Sequence, residues 1–407
     1  MRHGSAVEGV WRVSSDAAQE IRFGQGGNDT HYLGAGWSGD EPGFRWTIGT
    51  KSELWLDNPG SVRDCVLELD VAPFVHPPSL AAQRLSIFVR GAPAGQVELT
   101  ERRTLGFRIP GSVFAGDGPV RVTLEHPDAA SPRANGHPSD SRVLGVAFHR
   151  AGLIPMIGDL SALRILGGET VLAADIGRLT GLPAAQFMMR FESLGDNCEF
   201  GLVQRRCGSE PLGLLRFSNL TLPQLIRGLD NGFADLGDPT NMEFGLDSGE
   251  PREYVLRDRA YGLVFHTFIN EGEAVESELI AQQSARLLFL RRKFLEDLAN
   301  GEKIFVVKRN DLVTEPEALA LHAALRRHGP NTLLYIVQSD SEHPPGTVER
   351  VAPGLLRGYL DRFAPPSNAH DLSLGAWLAV CVNAGRIVGE KVEEQVSEML
   401  SVNPTRR

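Results

Sequence analysis

Cys198 sits in the run Phe191–Phe200, FESLGDNCEF, where small, turn-forming residues (Ser193, Gly195, Asp196, Asn197) lead into an apolar helical pattern carried by Phe200, Leu202 and Val203. Asp196 and Asn197 are N-capping residue types, so the spacing predicts a helix from Cys198 to Arg206. A cysteine in a first helical turn faces unpaired backbone N–H groups and the positive end of the helix dipole. Both favour the thiolate, which is the nucleophile. The competing reading is a small buried residue at a strand–helix junction. Cysteine-dependent acyl transfer also needs an imidazole to take the thiol proton and a carbonyl or carboxylate to orient the ring. In chain order the sequence offers Cys198, then His266 in YGLVFHTF, then Asn310 or Asp311 after the apolar run KIFVV. Asp340, after TLLYIV, is an alternative third member.

The residues expected to contact substrate are Asp196, Asn197, Glu199 and Arg216 around the cysteine, with Trp37 and Trp46 nearer the N-terminus. Glu199 has a second reading, in which its charge favours the helix start. An indole face offers a sugar ring a large apolar platform, although both tryptophans also suit the plugged end of a β-sandwich. Cys207 follows Cys198 by nine positions, which at about 100° per residue places it on the opposite helix face. Cys381 lies among Ala and Val and reads as core.

Other chemistries find little support. The four cysteines form no CxxC pair and the histidines no zinc-like spacing, so no metal is expected. The string GAGWSG (Gly34–Gly39) matches GxGxxG but lies in a β-rich region with no helix after it, and no GxxxxGK[ST] run occurs. No cofactor is therefore expected. A net charge of −10 disfavours a general nucleic-acid role. Scattered cysteines suggest reduced thiols and a cytoplasmic setting. No run approaches the roughly 18 apolar residues of a membrane span, and MRHGSAVEGVWRV lacks a signal-peptide core. The oligomeric state is left open.

Length and pattern predict how these residues are carried. A chain of 407 residues holds two or three domains. Residues 1–150 read as an all-β sandwich, with strands at Glu53–Leu56, Cys65–Val71, Arg84–Val89, Gln96–Leu99, Thr104–Ile109, Val120–Glu125 and Val143–His149, separated by Gly, Pro and Asp breaks. Residues 151–187 read as a helical linker, with short helical pieces at 160–166 and 170–179. Residues 188–407 alternate helix and strand, the mark of an α/β layered domain. Its elements include a helix at Leu222–Leu229, a hairpin from Arg252–Leu256 and Tyr261–Phe268, a long amphipathic helix at 274–298, and buried strands at Lys303–Val307 and Thr332–Val337. Helices at Glu315–Arg327 and Gly375–Ala384 complete it.

Two resemblances bear on function. The segment 190–385 resembles a bacterial domain family described as papain-like cysteine peptidases. It does so through Ser193–Cys198 (SLGDNC), His266 with Phe268, the basic-aromatic stretch Arg291–Phe294 and the apolar strand ending at Arg309. Thr267 stands where that family often has Asp after the histidine. Residues 30–150 resemble jelly-roll, carbohydrate-binding-like domains of surface-polysaccharide enzymes, through Gly36-Trp37-Ser38, Glu41, Phe44-Arg45-Trp46, Leu54–Leu56 and Asp140–Val146. Together they imply a papain-like cysteine hydrolase or acyltransferase acting on a glycan or glycan-linked substrate. The alternatives are a glycosyltransferase-like or other polysaccharide-assembly enzyme in which Cys198 is structural, and a non-catalytic carbohydrate-binding protein.

Overall fold

The computed structural model describes residues 19–60, 63–135, 139–156, 164–247 and 249–401. Its contacts cluster into two units, residues 1–157 with 314–327, and residues 158–313 with 328–407.

The first unit is built on two antiparallel sheets. One orders its strands Trp37–Glu41, Phe44–Ile48, Leu144–Pro155, Cys65–Pro73, Arg103–Ile109, with Gln19–Arg22 also paired to Leu144–Pro155. The other runs Lys51–Leu56, Val120–Glu125, Gln83–Val89, Ala92–Leu99. Alternation explains the core. In Lys51–Leu56 the side chains of Ser52, Leu54 and Leu56 are buried, while Lys51 and Trp55 face out. Leu54, Leu67, Leu69, Ile87, Val122 and Phe148 belong to one continuous apolar cluster. Cys65–Leu69 are buried without alternation, so both faces of that strand are covered.

The helix Glu315–Arg326 supplies cover on this sheet. A side chain at Gly106 would lie 2.8 Å from the backbone N of Ala320 and 2.9 Å from Cβ of Leu319. Glycine there lets helix and strand backbones approach. The helix begins with a reciprocal cap between Thr314 and Glu317. Chain order alone assigns it to the α/β part of the sequence, but its contacts place it with the β unit.

The second unit holds a six-stranded sheet ordered Arg164–Ile165, Val348–Ala352, Leu355–Leu360, Thr332–Gln338, Ile304–Val307, Phe191–Ser193. The last four strands are mutually parallel; the first two pair antiparallel. Ile304–Val307 is buried at every position, as expected of a parallel strand covered on both faces. Trp377 and Cys381 of the helix Leu374–Ser401 join this core. A separate antiparallel sheet orders Ser218–Asn219, Leu263–Asn270, Glu253–Asp258, Met242–Leu246.

In the segment expected to be a helical linker, residues 160–163 lie outside the described residues, as do 1–18, which include the stretch read for a leader. Arg164–Ile165 is an edge strand, not helix. The helical pieces are Ile176–Thr180, which stops at Gly181 with φ 72°, and Ala184–Met188. No helix among the described residues is long and apolar enough to cross a membrane.

The close approach at Gly106 generates a test. Gly106→Val should lower stability by about 1–3 kcal/mol through overpacking, read as a lower urea midpoint with far-UV circular dichroism unchanged. An unaltered midpoint would contradict the packing.

Candidate functional site

The cysteine loop leaves the carboxyl end of Phe191–Ser193, where open α/β sheets place their ligands. Leu194 continues the ladder by one hydrogen bond, its N–H donating to the Val306 carbonyl at 2.9 Å. Gly195 (φ 90°) and Asp196 (φ 87°) then turn the chain through two left-handed residues. The helix spans Glu199–Arg206 with Cys198 at its N-cap. Asn197 provides the cap bond, accepting the Glu199 N–H at 2.9 Å. Asp196 turns towards the neighbouring strand exit. It accepts the Asn310 N–H at 3.2 Å and lies 3.5 Å from the Arg309 guanidinium. Burial raises its carboxyl pKa against the opposing pull of Arg309 and Lys308.

Glu199 anchors this helix. Its side chain is 0% exposed, 2.6 Å from the Lys308 ammonium, and one oxygen accepts the Trp377 indole N–H at 2.9 Å. Gln204, five residues further, donates to the Met188 and Phe191 carbonyls. Glu199 thus ties the cysteine helix to the strand Ile304–Val307 and to the helix Leu374–Ser401, and it is not placed to meet substrate. Arg216 is likewise internal. Its side chain is 5% exposed, pairs with Glu210 at 2.6 Å, and donates to the carbonyls of Gly201 and Ser209. The contact roles expected for these two residues give way to scaffolding roles, because both side chains are buried and pair with Lys308 and Glu210.

Cys198 is half-buried. Burial raises its thiol pKa, the charge of Glu253 adds to that, and Arg205 opposes it. Glu253 is the residue that sequence reasoning missed. It opens the strand Glu253–Asp258, whose partner Leu263–Asn270 carries His266 opposite Val255. The ladder shifts register between Glu253 and Val255, and the Glu253 carboxylate lies alongside the imidazole, with Oε2 3.3 Å from His266 Nδ1. The other oxygen, Oε1, accepts the Phe268 N–H at 2.6 Å. Phe268 has φ 60°, an outlier for a bulky residue, and the residue is 53% exposed. It packs edge-on against Phe217, over which the Arg205 guanidinium lies at 5.0 Å.

Asn310 and Asp311, expected to orient His266, do something else. The Asn310 side chain accepts from Lys308 at 2.6 Å, and Asp311 is 71% exposed and paired with Arg309 at 3.1 Å. Both belong to the Asp196 side of the loop. Asp340 is the partner of His343 at 2.7 Å. Only knowledge of the hairpin register could have revealed Glu253, because it precedes His266 by thirteen positions of ordinary strand sequence.

In the β unit, Trp37 is partly buried against the core, stacked on Phe23 at 5.4 Å, with its indole N–H donated to the Glu53 carbonyl. Its ring is occupied as packing. Trp46 is different. With Phe44 and Phe74 it forms a half-buried aromatic row, ring centroids 5.8 and 6.1 Å apart. Two cavities, of about 310 Å³ beside Gly168, Asp361 and Ser373 and about 430 Å³ beside Ile165, Arg178 and Asn383, include neither Cys198 nor His266.

No protein-family model matches the chain, and no curated protein does. Among solved structures, a GH115 4-O-methyl-alpha-glucuronidase with specificity for decorated arabinogalactans aligns at TM-score 0.20 and 10% identity, covering 28% of this chain and 14% of that one. The CBM36-1 domain of a multidomain xylanase from the hindgut metagenome of Trinervitermes trinervoides aligns at TM-score 0.19 and 12% identity, covering 35% and 99%. The Cry4Aa toxin of Bacillus thuringiensis aligns at TM-score 0.19 and 7% identity, covering 35% and 24%. Likenesses at this level decide neither fold nor function.

The buried pair beneath the cysteine helix gives a direct test. Lys308→Met leaves the Glu199 carboxylate buried without its cation and should cost about 3–5 kcal/mol in denaturant unfolding. Adding Glu199→Gln should recover part of that loss. A single variant as stable as wild type would show that the pair does not hold the helix.

Proposed function

We propose that this chain is a cysteine-dependent acyl-transfer enzyme, a hydrolase or acyltransferase acting on a glycan-linked amide or ester. Cys198 is the nucleophile, His266 the base and Glu253 the positioning carboxylate. The observation that carries the reading is Glu253, which lies 3.3 Å from His266 Nδ1 while its charge also acts on the Cys198 thiol. A carboxylate on Nδ1 fixes the tautomer that leaves Nε2 free to accept a proton. With the thiol neutral at rest, His266 takes its proton as sulfur attacks the substrate carbonyl. First-turn N–H groups of the helix Glu199–Arg206 other than that of Glu199, which Asn197 caps, supply donors for the oxyanion. The leaving group departs with the proton from His266, giving a thioester. Water or an acceptor hydroxyl then attacks it, regenerating the thiol. The aromatic rings of Phe217 and Phe268 flank this site and favour a substrate with an apolar or ring face.

The carbohydrate part of the reading rests on the resemblance of residues 30–150 and on the half-buried row Phe44, Trp46 and Phe74. That row also favours a second reading, in which the β unit binds carbohydrate and no acyl chemistry occurs.

Iodoacetamide alkylation distinguishes them. Cys65, Cys207 and Cys381 are buried with raised thiol pKa values, that of Cys65 pushed up to about 12, so Cys198 should react fastest. Its raised pKa means the rate should climb with pH through and beyond the ordinary thiol range. His266→Ala should slow the reaction at pH 7.5 at least tenfold. Glu253→Gln separates two roles: it slows alkylation if the carboxylate positions the imidazole, and accelerates it if the carboxylate merely repels the thiolate. Acceleration in Glu253→Gln with no effect of His266→Ala would sink the acyl-transfer reading.

A further inference from the structure

We propose that Asp247, Glu253 and His266 form a zinc site whose occupation silences Cys198; the silencing rests on the acyl-transfer reading above. Each of the three offers one ligand atom, and these atoms lie within 4.8 Å of one another. In a tetrahedral zinc shell with bonds of about 2.0–2.2 Å the ligand atoms lie about 3.3–3.6 Å apart, so the carboxylates must draw in by about an ångström to close the site.

The hairpin builds the cluster. The strand Met242–Leu246 ends at Asp247, whose N–H donates to the Glu253 carbonyl at 3.0 Å. Asp247 Oδ1 accepts the N–H groups of Gly249 at 3.2 Å and Glu253 at 2.8 Å. Glu253 Oε1 is held by the Phe268 N–H. One oxygen of each carboxylate is therefore tied to backbone and fixes the side chain, and the second oxygen of Glu253 faces the imidazole. Among the described residues, neither Asp247 nor Glu253 forms an ion pair with Lys or Arg. Two carboxylates converge on one histidine, and a divalent cation would balance them.

The donor set selects the ion. Calcium takes six to eight oxygens, whereas one imidazole with two carboxylates suits zinc and leaves a position open. Nδ1 is the ring nitrogen facing Glu253. An imidazole that binds metal through Nδ1 carries its proton on Nε2 and cannot accept another from the thiol. Bound zinc would therefore remove the base.

The test uses the full chain, stripped of metal, at pH 7.5. In Cys198→Ser protein, where no thiolate at that position can hold the ion, calorimetric titration with zinc chloride should show one equivalent bound. Asp247→Asn, which keeps the Oδ1 acceptor, should weaken it at least tenfold, and His266→Ala should weaken it further. In protein retaining Cys198, saturating zinc should slow alkylation at least tenfold. Measured against its own metal-free rate, Asp247→Asn should need at least tenfold more zinc than wild type for the same fold of protection. Absence of zinc binding at about 100 µM, binding unchanged in Asp247→Asn, equal binding of calcium, or zinc bound without slowed alkylation would each overturn the proposal. Failure of the acyl-transfer reading is read separately, from metal-free alkylation that ignores His266→Ala, while zinc binding by Cys198→Ser remains measurable.

Discussion

A carboxylate and an ammonium facing one another with almost no solvent hold the cysteine helix in place. Glu199 and Lys308 are 0% and 3% exposed in their side chains and 2.6 Å apart. Two charges taken that far from water are retained only with good geometry and further polar contacts. The Trp377 indole supplies one such contact to Glu199, and the Asn310 side chain supplies one to Lys308. The pair links three elements distant in sequence: the first turn of Glu199–Arg206, the exit of Ile304–Val307 and the start of Leu374–Ser401. Because Glu199 directly follows Cys198, the position of the thiol is set by a bond made underneath it. The packing of Phe200 against Phe191 and Trp377 works in the same direction.

The second half of the site belongs to a different sheet and is fixed by different means. Glu253 uses one oxygen to hold the backbone of Phe268 in a left-handed conformation, at a local cost of order 1–3 kcal/mol, and the other to face His266. A single carboxylate thereby governs the exposed aromatic ring, the imidazole and, through its charge, the thiol. The adjacent Thr267 is turned inwards, donating to the Tyr254 carbonyl at 2.7 Å, so His266 is directed to the opposite face by strand alternation.

Much of the secondary structure was legible. All seven strands expected between residues 53 and 149 are present, because alternation between Leu54, Trp55 and Leu56 or continuous burial from Cys65 to Leu69 leaves a periodic imprint. The continuous apolar runs IFVV and TLLYIV read correctly as covered strands. The paired strands Val348–Ala352 and Leu355–Leu360 were missed. Arg350 and Arg357 interrupt their apolar pattern, and Pro353-Gly354 reads as a generic break. The helix Glu315–Arg326 was read correctly as a helix, yet nothing in its own residues says which sheet it covers.

The site divides in the same way. The turn, the cap and the half-exposed cysteine at a helix start follow from SLGDNC, since left-handed turns and side-chain caps are local interactions among neighbouring residues. Those terms act over a few positions and can be read from them. The identity of the group beside His266 could not be read, nor could the internal fates of Glu199 and Arg216. The hairpin register, with its two-residue shift between Glu253 and Val255, decides which carboxylate meets the imidazole, and burial decides whether a charge faces substrate or another charge. Both depend on segments brought together from across the chain, so only the tertiary structure could choose Glu253 over Asn310 and Asp311.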